Sequence, residues 1–308
     1  MEDIDAIACL HPTGMEGFVS ADFAINLPEN KQRFVPEKRK HPPLVVAQPL
    51  ASYSHEDREA TQDAETQNSL DYTVSLRISL SQIPKTSLGL VAGWDPRADI
   101  VLPHLPGISF HHFSLTFDDA YRFIVRDLGS RTGTCVVYGK QDEGPRSDFQ
   151  WIIGGDENLK GLDPIIIRVI LKLQFQIVVS DYDINSEAFR AKVDTFRAGT
   201  ADLDDTLGDL GIREPTRLPT GINTPPKTKV LVQRKIGEGG FAVVHHVWNA
   251  STGDTYALKM PLGKVQKYHV KAWKNEARLM GRVSHVSLDA ISLVVLVLYS
   301  DVPSRTTL

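Results

Sequence analysis

From Leu171 to Val179 apolar and polar residues alternate: Leu171, Leu173, Phe175, Ile177 and Val179 lie on one side, Lys172, Gln174 and Gln176 on the other. A period of two marks a strand buried on one face. Phe113-Ser114-Leu115-Thr116-Phe117 repeats the pattern. Asp118-Asp119 then reads as a turn into the strand-like Tyr121-Arg122-Phe123-Ile124-Val125. Several short strands between Tyr72 and Val179, separated by Gly, Pro and Asp turns, predict an antiparallel sandwich.

Further along, two β-branched segments, Val230 to Ile236 and Phe241 to Trp248, flank a glycine-rich turn. A second turn at Ser251-Thr252-Gly253-Asp254 leads into Tyr256-Ala257-Leu258-Lys259. From Val270 to Val283 the period changes. Val270, Trp273, Ala277 and Met280 recur at three- and four-residue spacings, with Lys271, Lys274, Arg278 and Arg282 opposite, which predicts a helix carrying Glu276. Phe189, Val193 and Phe196 predict a short helix starting after Ser186. The expected layout is therefore a mobile extension over 1–70, a sandwich over 71–182, a linker with a short helix over 183–228, a second domain over 229–285 and a tail over 286–308. Residues 1–70 mix Pro, Gln, Glu and Asp with little periodicity, and Pro215 to Pro226 is rich in proline.

Composition fits two folded domains. The chain has 308 residues, of which 42% are apolar and 23% charged, and this length suggests about two domains. A net charge of -4 gives no support for nucleic-acid binding. Cys9 and Cys135 are too few for a disulfide framework or a zinc site and point to a reducing compartment, cytoplasm or nucleus. Met1 to Ala8 is acidic with no apolar core after it, unlike a signal peptide. The apolar run Ile291 to Leu298 is shorter than the roughly 20 residues that span a bilayer.

The glycine-rich turn carries the clearest chemistry. Phosphate oxygens are held by several backbone N–H groups, and glycine lets the backbone come close enough. Ile236-Gly237-Glu238-Gly239-Gly240-Phe241 offers such a turn, Val244 is placed to cover a flat heterocycle, and Lys259 is a point charge within reach of phosphates beneath it. Each feature alone is common. Together, Gly237-x-Gly239-x-x-Ala242-x-Val244, then Lys259, then Glu276 resembles the small lobe of the protein kinases. That resemblance implies an incomplete α+β kinase N-terminal lobe. In it Gly237, Gly239 and Val244 cover ATP, Ala257 lines the adenine pocket, and Lys259 pairs with Glu276. The family's catalytic base and magnesium ligands come from His-Arg-Asp and Asp-Phe-Gly motifs, and neither occurs here.

Within the sandwich region, Gly93, Ser109-x-x-His112 and Asp127-Leu128-x-Ser130-x-x-Gly133-Thr134 stand in the order of a forkhead-associated (FHA) domain. The resemblance implies an all-β sandwich that binds phosphothreonine-containing proteins, with Ser109, Arg131 and Thr132 as contacts. In that family an arginine usually follows the Gly93 position, another follows Ser109, and an asparagine precedes Gly133-Thr134. Here those places hold Trp94, Phe110 and Thr132. Loss of the first arginine removes a charge-assisted hydrogen bond of about 1.5 to 3 kcal/mol, and Arg131 or Arg97 is the available source of positive charge.

An FHA-like domain ahead of a kinase lobe resembles the fungal checkpoint-type serine/threonine kinases. The multidomain order implies an ATP-dependent phosphotransferase, here interrupted within the small lobe. The resemblance stops near Ser284-His285. Residues 286–308 are expected to be non-family sequence, and Val286-Ser287 can be encoded by the splice-donor sequence GTAAGT. Three readings stay open: part of a serine/threonine kinase, a phosphothreonine-binding adaptor, and a non-functional fragment.

Overall fold

The computed structural model describes residues 5–13, 18–38, 72–200, 231–240, 242–262, 275 and 292–294. Among the described residues strands far outnumber helices, and the chain forms two compact units.

The first unit contains two sheets, apart from Gln150–Ile152 of the last strand named below, which group with the second unit. The six-stranded sheet has the order β2-β3-β1-β11-β10-β8, built from β1 (Ala6–Pro12), β2 (Phe34–Lys38), β3 (Tyr72–Ser79), β8 (Cys135–Tyr138), β10 (Ile165–Ile170) and β11 (Leu173–Val179). The five-stranded sheet has the order β5-β4-β6-β7-β9, built from β4 (Leu90–Gly93), β5 (Ile100–Val101), β6 (Phe113–Phe117), β7 (Phe123–Asp127) and β9 (Gln150–Gly154). In β11, Leu173, Phe175 and Ile177 are buried while Gln174 and Gln176 are not. Leu171 departs from the expected face. It is 68% exposed, because the chain turns between β10 and β11 before the alternation begins.

The expectation of a mobile segment over residues 1–70 is corrected for its described parts. Residues 6–12 form β1, which pairs with β11 (Ala8 opposite Val179) and with β3 (Leu10 opposite Leu76), placing it inside the sheet. Ile7, Ala8 and Leu10 are almost fully buried. Such a short apolar run shows no period of its own, and its partners lie far along the chain. Helix α1 (Phe18–Ile25) follows. After it comes Asn30, whose side chain donates to the Ala24 and Val101 carbonyls and accepts the Val101 N–H, all at 2.8 or 2.9 Å. A buried amide satisfied on three sides ties this segment to β5.

The helix expected in the linker is α2 (Glu187–Ala198), with the Ser186 side chain accepting the Phe189 N–H as an N-cap. It is part of the first unit. Phe189, Val193 and Phe196 are buried, and Phe117 meets Phe189 and Phe196 edge-on at 5.9 and 5.7 Å between ring centres. All five residues of β6 are buried, Ser114 and Thr116 included, although the segment alternates in sequence.

The second unit holds a sheet of order β12-β13-β14-β15, from β12 (Leu231–Glu238), β13 (Ala242–Asn249), β14 (Thr255–Pro261) and β15 (Ser292–Val294). The first three are antiparallel, and Gly253, at φ +83°, sits in the second turn. The fourth comes from the tail expected to be unrelated sequence. It pairs parallel to β14, with Ala257 opposite Leu293. Phe241, Glu276, the helix expected over 270–283 and the rest of the tail lie outside the described residues, apart from the helical Asn275.

Candidate functional site

The residues singled out in the first unit converge beyond the ends of β4, β6 and β7. The turn after β4 is pressed against the segment before β6: a Cβ at Gly93 would stand 2.0 Å from the Phe110 carbonyl oxygen, a contact no side chain tolerates. Trp94 N–H donates to the Ser109 carbonyl at 3.3 Å and Asp95 N–H to the Phe110 carbonyl at 3.2 Å. The loop bearing Trp94 is thereby fixed beside Ser109.

His112 holds the next connection. It is fully buried; its Nδ1 accepts the Ser109 N–H at 3.1 Å, and its Nε2–H donates to the Gly133 carbonyl at 3.4 Å. Burial lowers its pKa, outweighing the Asp127 charge and the bond to Gly133, so the ring is the neutral Nε2–H tautomer that this geometry needs. One imidazole thus joins two loops, a positioning role.

Asp127 organises the loop that carries Arg131 and Thr132. Its buried carboxylate accepts Ser130 N–H at 2.8 Å, Ser130 Oγ–H at 2.6 Å, Thr134 Oγ1–H at 2.7 Å and Asp148 N–H at 3.1 Å. Gly133 makes the turn possible, with φ +74° and no room for a Cβ, which would lie 2.9 Å from the Arg146 backbone.

On this frame Ser109 Oγ accepts the Arg131 N–H at 3.0 Å. Its own hydroxyl proton has no acceptor among the described residues, so it is left to donate outward. The Arg131 side chain is exposed. Thr132 is exposed as well, but its hydroxyl donates to the Gly107 carbonyl at 2.7 Å. That commits its proton and makes it a strut between loops. Arg97, the other expected cation, is paired with Asp95 at 3.4 Å, and Asp95 also accepts His111 Nε2–H at 3.0 Å. Burial alone would raise the Asp95 pKa, but hydrogen bonds from Arg97 and His111 more than offset it and hold the carboxyl below its ordinary value. Arg97 and Arg131 are both exposed, and of the two Arg97 is the one held in an ion pair among the described residues.

Sequence reasoning marked Trp94 and Phe110 only as departures from a pattern. They form a cluster: Trp94 lies 4.6 Å from Phe110, edge-on, and 4.5 Å from His104, between ring centres. Sequence separation hid the relation between residues 94, 104 and 110.

In the second unit the register sets Val244 opposite Lys259 and His246 opposite Ala257, so Val244, Ala257 and Lys259 share one face of the sheet. Gly239 N–H donates to the Ala242 carbonyl at 2.8 Å across the glycine turn. Ile236 is exposed at an irregularity in β12, and Glu238 is ion-paired with Lys235. A Cβ at Gly237 or Gly240 would meet nothing within 4 Å among the described residues. The partner expected for Lys259, Glu276, lies outside them. Among the described residues no cluster of three or more His, Cys, Asp or Glu could hold a metal ion, and no helix is long and apolar enough to cross a membrane.

Residues 90–145 match the FHA domain family, so the chain contains an FHA domain. No curated protein matches the sequence. Among solved structures, Rad53 residues 1–466 in complex with AMP-PNP is 18% identical with a TM-score of 0.34, over 68% of this chain and 45% of that one. The FHA domain of the CT664 protein from Chlamydia trachomatis is 21% identical with a TM-score of 0.24, over 36% of this chain and 87% of that domain. The chain thus spans less than half the length of the Rad53 chain it matches.

Proposed function

We propose that the chain recognises phosphothreonine-containing proteins through the loops bearing Ser109, Arg131 and Thr132. The observation that carries this reading is the bond from Arg131 N–H to Ser109 Oγ, which joins the serine hydroxyl to the backbone of an exposed arginine. Buried His112 and Asp127 hold the loop backbones that carry a hydroxyl donor and a cation, an arrangement suited to an anion. The test is fluorescence anisotropy with a peptide library degenerate around a fixed phosphothreonine. Saturable binding is expected, lost on dephosphorylation and weakened about tenfold or more by Ser109→Ala or Arg131→Ala. Equal binding of phosphorylated and unphosphorylated pools would reject the reading.

A second reading concerns the second unit. We infer that Ile236, Gly237, Glu238, Gly239, Gly240 and Phe241 form a flap over the phosphates of ATP, with Val244 and Ala257 against the adenine and Lys259 on the α- and β-phosphates. The supporting observation is the common face of Val244, Ala257 and Lys259, together with a turn in which Gly237 and Gly240 meet no packing demand among the described residues. In a longer protein this would be the ATP site of a serine/threonine kinase, with Glu276 completing the ion pair; this sequence holds neither His-Arg-Asp nor Asp-Phe-Gly. Titration of the chain with a fluorescent ATP analogue, with and without magnesium, should give saturable binding that Lys259→Met abolishes. Lack of saturation, or binding indifferent to that change, would defeat it.

A further inference from the structure

We infer that Asn30 is a positioning residue for the phosphopeptide site: by holding the edge of the five-stranded sheet, it sets where the loop that carries Ser109 lies. The inference rests on the phosphopeptide reading above and adds to it a residue that touches no ligand.

An outermost strand leaves backbone N–H and C=O groups without a sheet partner, and β5 is such a strand. Asn30 takes both groups of Val101. Its side chain accepts the Val101 N–H at 2.9 Å and donates to the Val101 carbonyl at 2.8 Å, so one amide stands where a further strand would be. Its other N–H goes to the Ala24 carbonyl at 2.8 Å, and the residue is buried. Arg33 grips the residue just before β5. Its Nε–H donates to the Asp99 carbonyl at 3.3 Å and its Nη1–H to Gln82 Oε1 at 2.6 Å. The Arg33 carbonyl accepts the Arg77 N–H of β3 at 2.7 Å. The turn from Asn30 to Arg33 therefore clamps the edge of one sheet to the other.

From Val101 two short routes made of backbone lead to Ser109. The first crosses to the neighbouring strand. Val101 is the register partner of Gly93, and Leu102 N–H donates to the Gly93 carbonyl at 2.7 Å. Gly93 lies against the Phe110 carbonyl with no room for a Cβ, and the next residue, Trp94, donates its N–H to the Ser109 carbonyl. The second route follows the chain, since residues 102–108 run from β5 directly into Ser109, and Thr132 holds the Gly107 carbonyl on the way. A close-packed interior transmits a displacement instead of absorbing it. A shift of β5 is therefore passed to Gly93 and to residues 102–108, and both end at the serine.

Place in the fold separates holding the site from holding the domain. Asn30 and Arg33 both lie outside residues 90–145, the stretch that matches the FHA family, so the clamp comes from the N-terminal segment and not from the matched stretch. Val193 gives the contrast. It is as deeply buried as Asn30, but it sits in α2, whose Phe189 and Phe196 meet Phe117 at the far end of β6 from His112. Truncating Val193 weakens the core without loosening β5, whereas truncating Asn30 frees the edge that leads to Ser109.

The experiment compares the wild-type chain with Asn30→Ala, Arg33→Met and the control Val193→Ala. Hydrogen exchange is read first, without ligand. In Asn30→Ala the Leu102, Trp94 and Arg131 amides should exchange about tenfold faster relative to the amides of β10 and β11, and Arg33→Met should act in the same direction to a smaller extent. Val193→Ala should leave that ratio unchanged. Affinity for the phosphothreonine peptide pool, corrected for the folded fraction, should then fall about threefold to tenfold in Asn30→Ala and stay within about twofold of the wild type in Val193→Ala. Arg33→Met carries the test if Asn30→Ala fails to fold. Unchanged relative exchange in the clamp variants, or an affinity loss no greater than that of Val193→Ala, would overturn the inference and leave the phosphopeptide reading standing. If the wild-type chain binds no phosphopeptide, that reading fails and the inference falls with it.

Discussion

Ser109 Oγ accepts the backbone N–H of Arg131 at 3.0 Å, across 22 positions of sequence. The bond fixes the loop that carries the cation relative to the hydroxyl. Its loss should be visible without any ligand. In Ser109→Ala the Arg131 amide should exchange with solvent faster than in the wild type, while Ser109→Thr should keep it protected. Equal exchange in all three forms would show that the contact does not hold the loop.

Asp127 is the point where that loop is anchored. Replacing it by Ala leaves four donors without their acceptor in a buried setting, which should destabilise the domain by about 3 kcal/mol or more. Asp127→Asn keeps one acceptor oxygen and should lie between. Urea unfolding measures both, and a cost below about 1 kcal/mol for the alanine form would deny Asp127 this role.

His112 makes the domain sensitive to acid. Burial depresses its folded pKa, so the unfolded chain binds the proton more readily. The stabilisation is complete above the unfolded value of about 6.5 and is lost as pH falls below it toward the depressed value. Between about pH 7.5 and about pH 5.5 the urea midpoint of the wild type should therefore fall, and that of His112→Gln should fall less. Parallel behaviour of the two would rule out the imidazole as the cause.

Placement of β1 predicts a contrast between two leucines. Leu10 is fully buried in the middle of the six-stranded sheet, and Leu10→Ala should cost about 3 kcal/mol. Leu171 is 68% exposed, and its truncation should cost under about 0.5 kcal/mol. A reversal of that order by thermal or urea unfolding would contradict the sheet order.

What the sequence reveals follows the range of the interactions. The alternation of Leu173, Phe175 and Ile177 and the spacing of Phe189, Val193 and Phe196 are local, and so is the Ser186 cap. Each is visible within a dozen residues. Leu171 continues the same alternation and misleads, because nothing local marks the turn that follows it. β1 is hidden for the opposite reason: Ile7, Ala8 and Leu10 acquire meaning only against β3 and β11. At the site, Ser109, Arg131 and Thr132 stand out through their order along the chain. The hydrogen bonds tell them apart, with Thr132 as a strut and Arg97 ion-paired with Asp95. The Trp94 cluster depends on three residues 6 to 16 positions apart meeting in space, which no periodicity announces.

The pairing of Ala8 with Val179 also shapes the protein's life during synthesis. At 5–20 residues per second, roughly ten to thirty seconds separate the appearance of β1 from that of β11. Throughout that interval an apolar strand meant for an interior position lacks at least one neighbour. The domain closes only when a late segment slots in beside an early one, a non-local step of the kind that slows folding. A ribosome stalled before residue 173 would leave that edge open to any chaperone within reach.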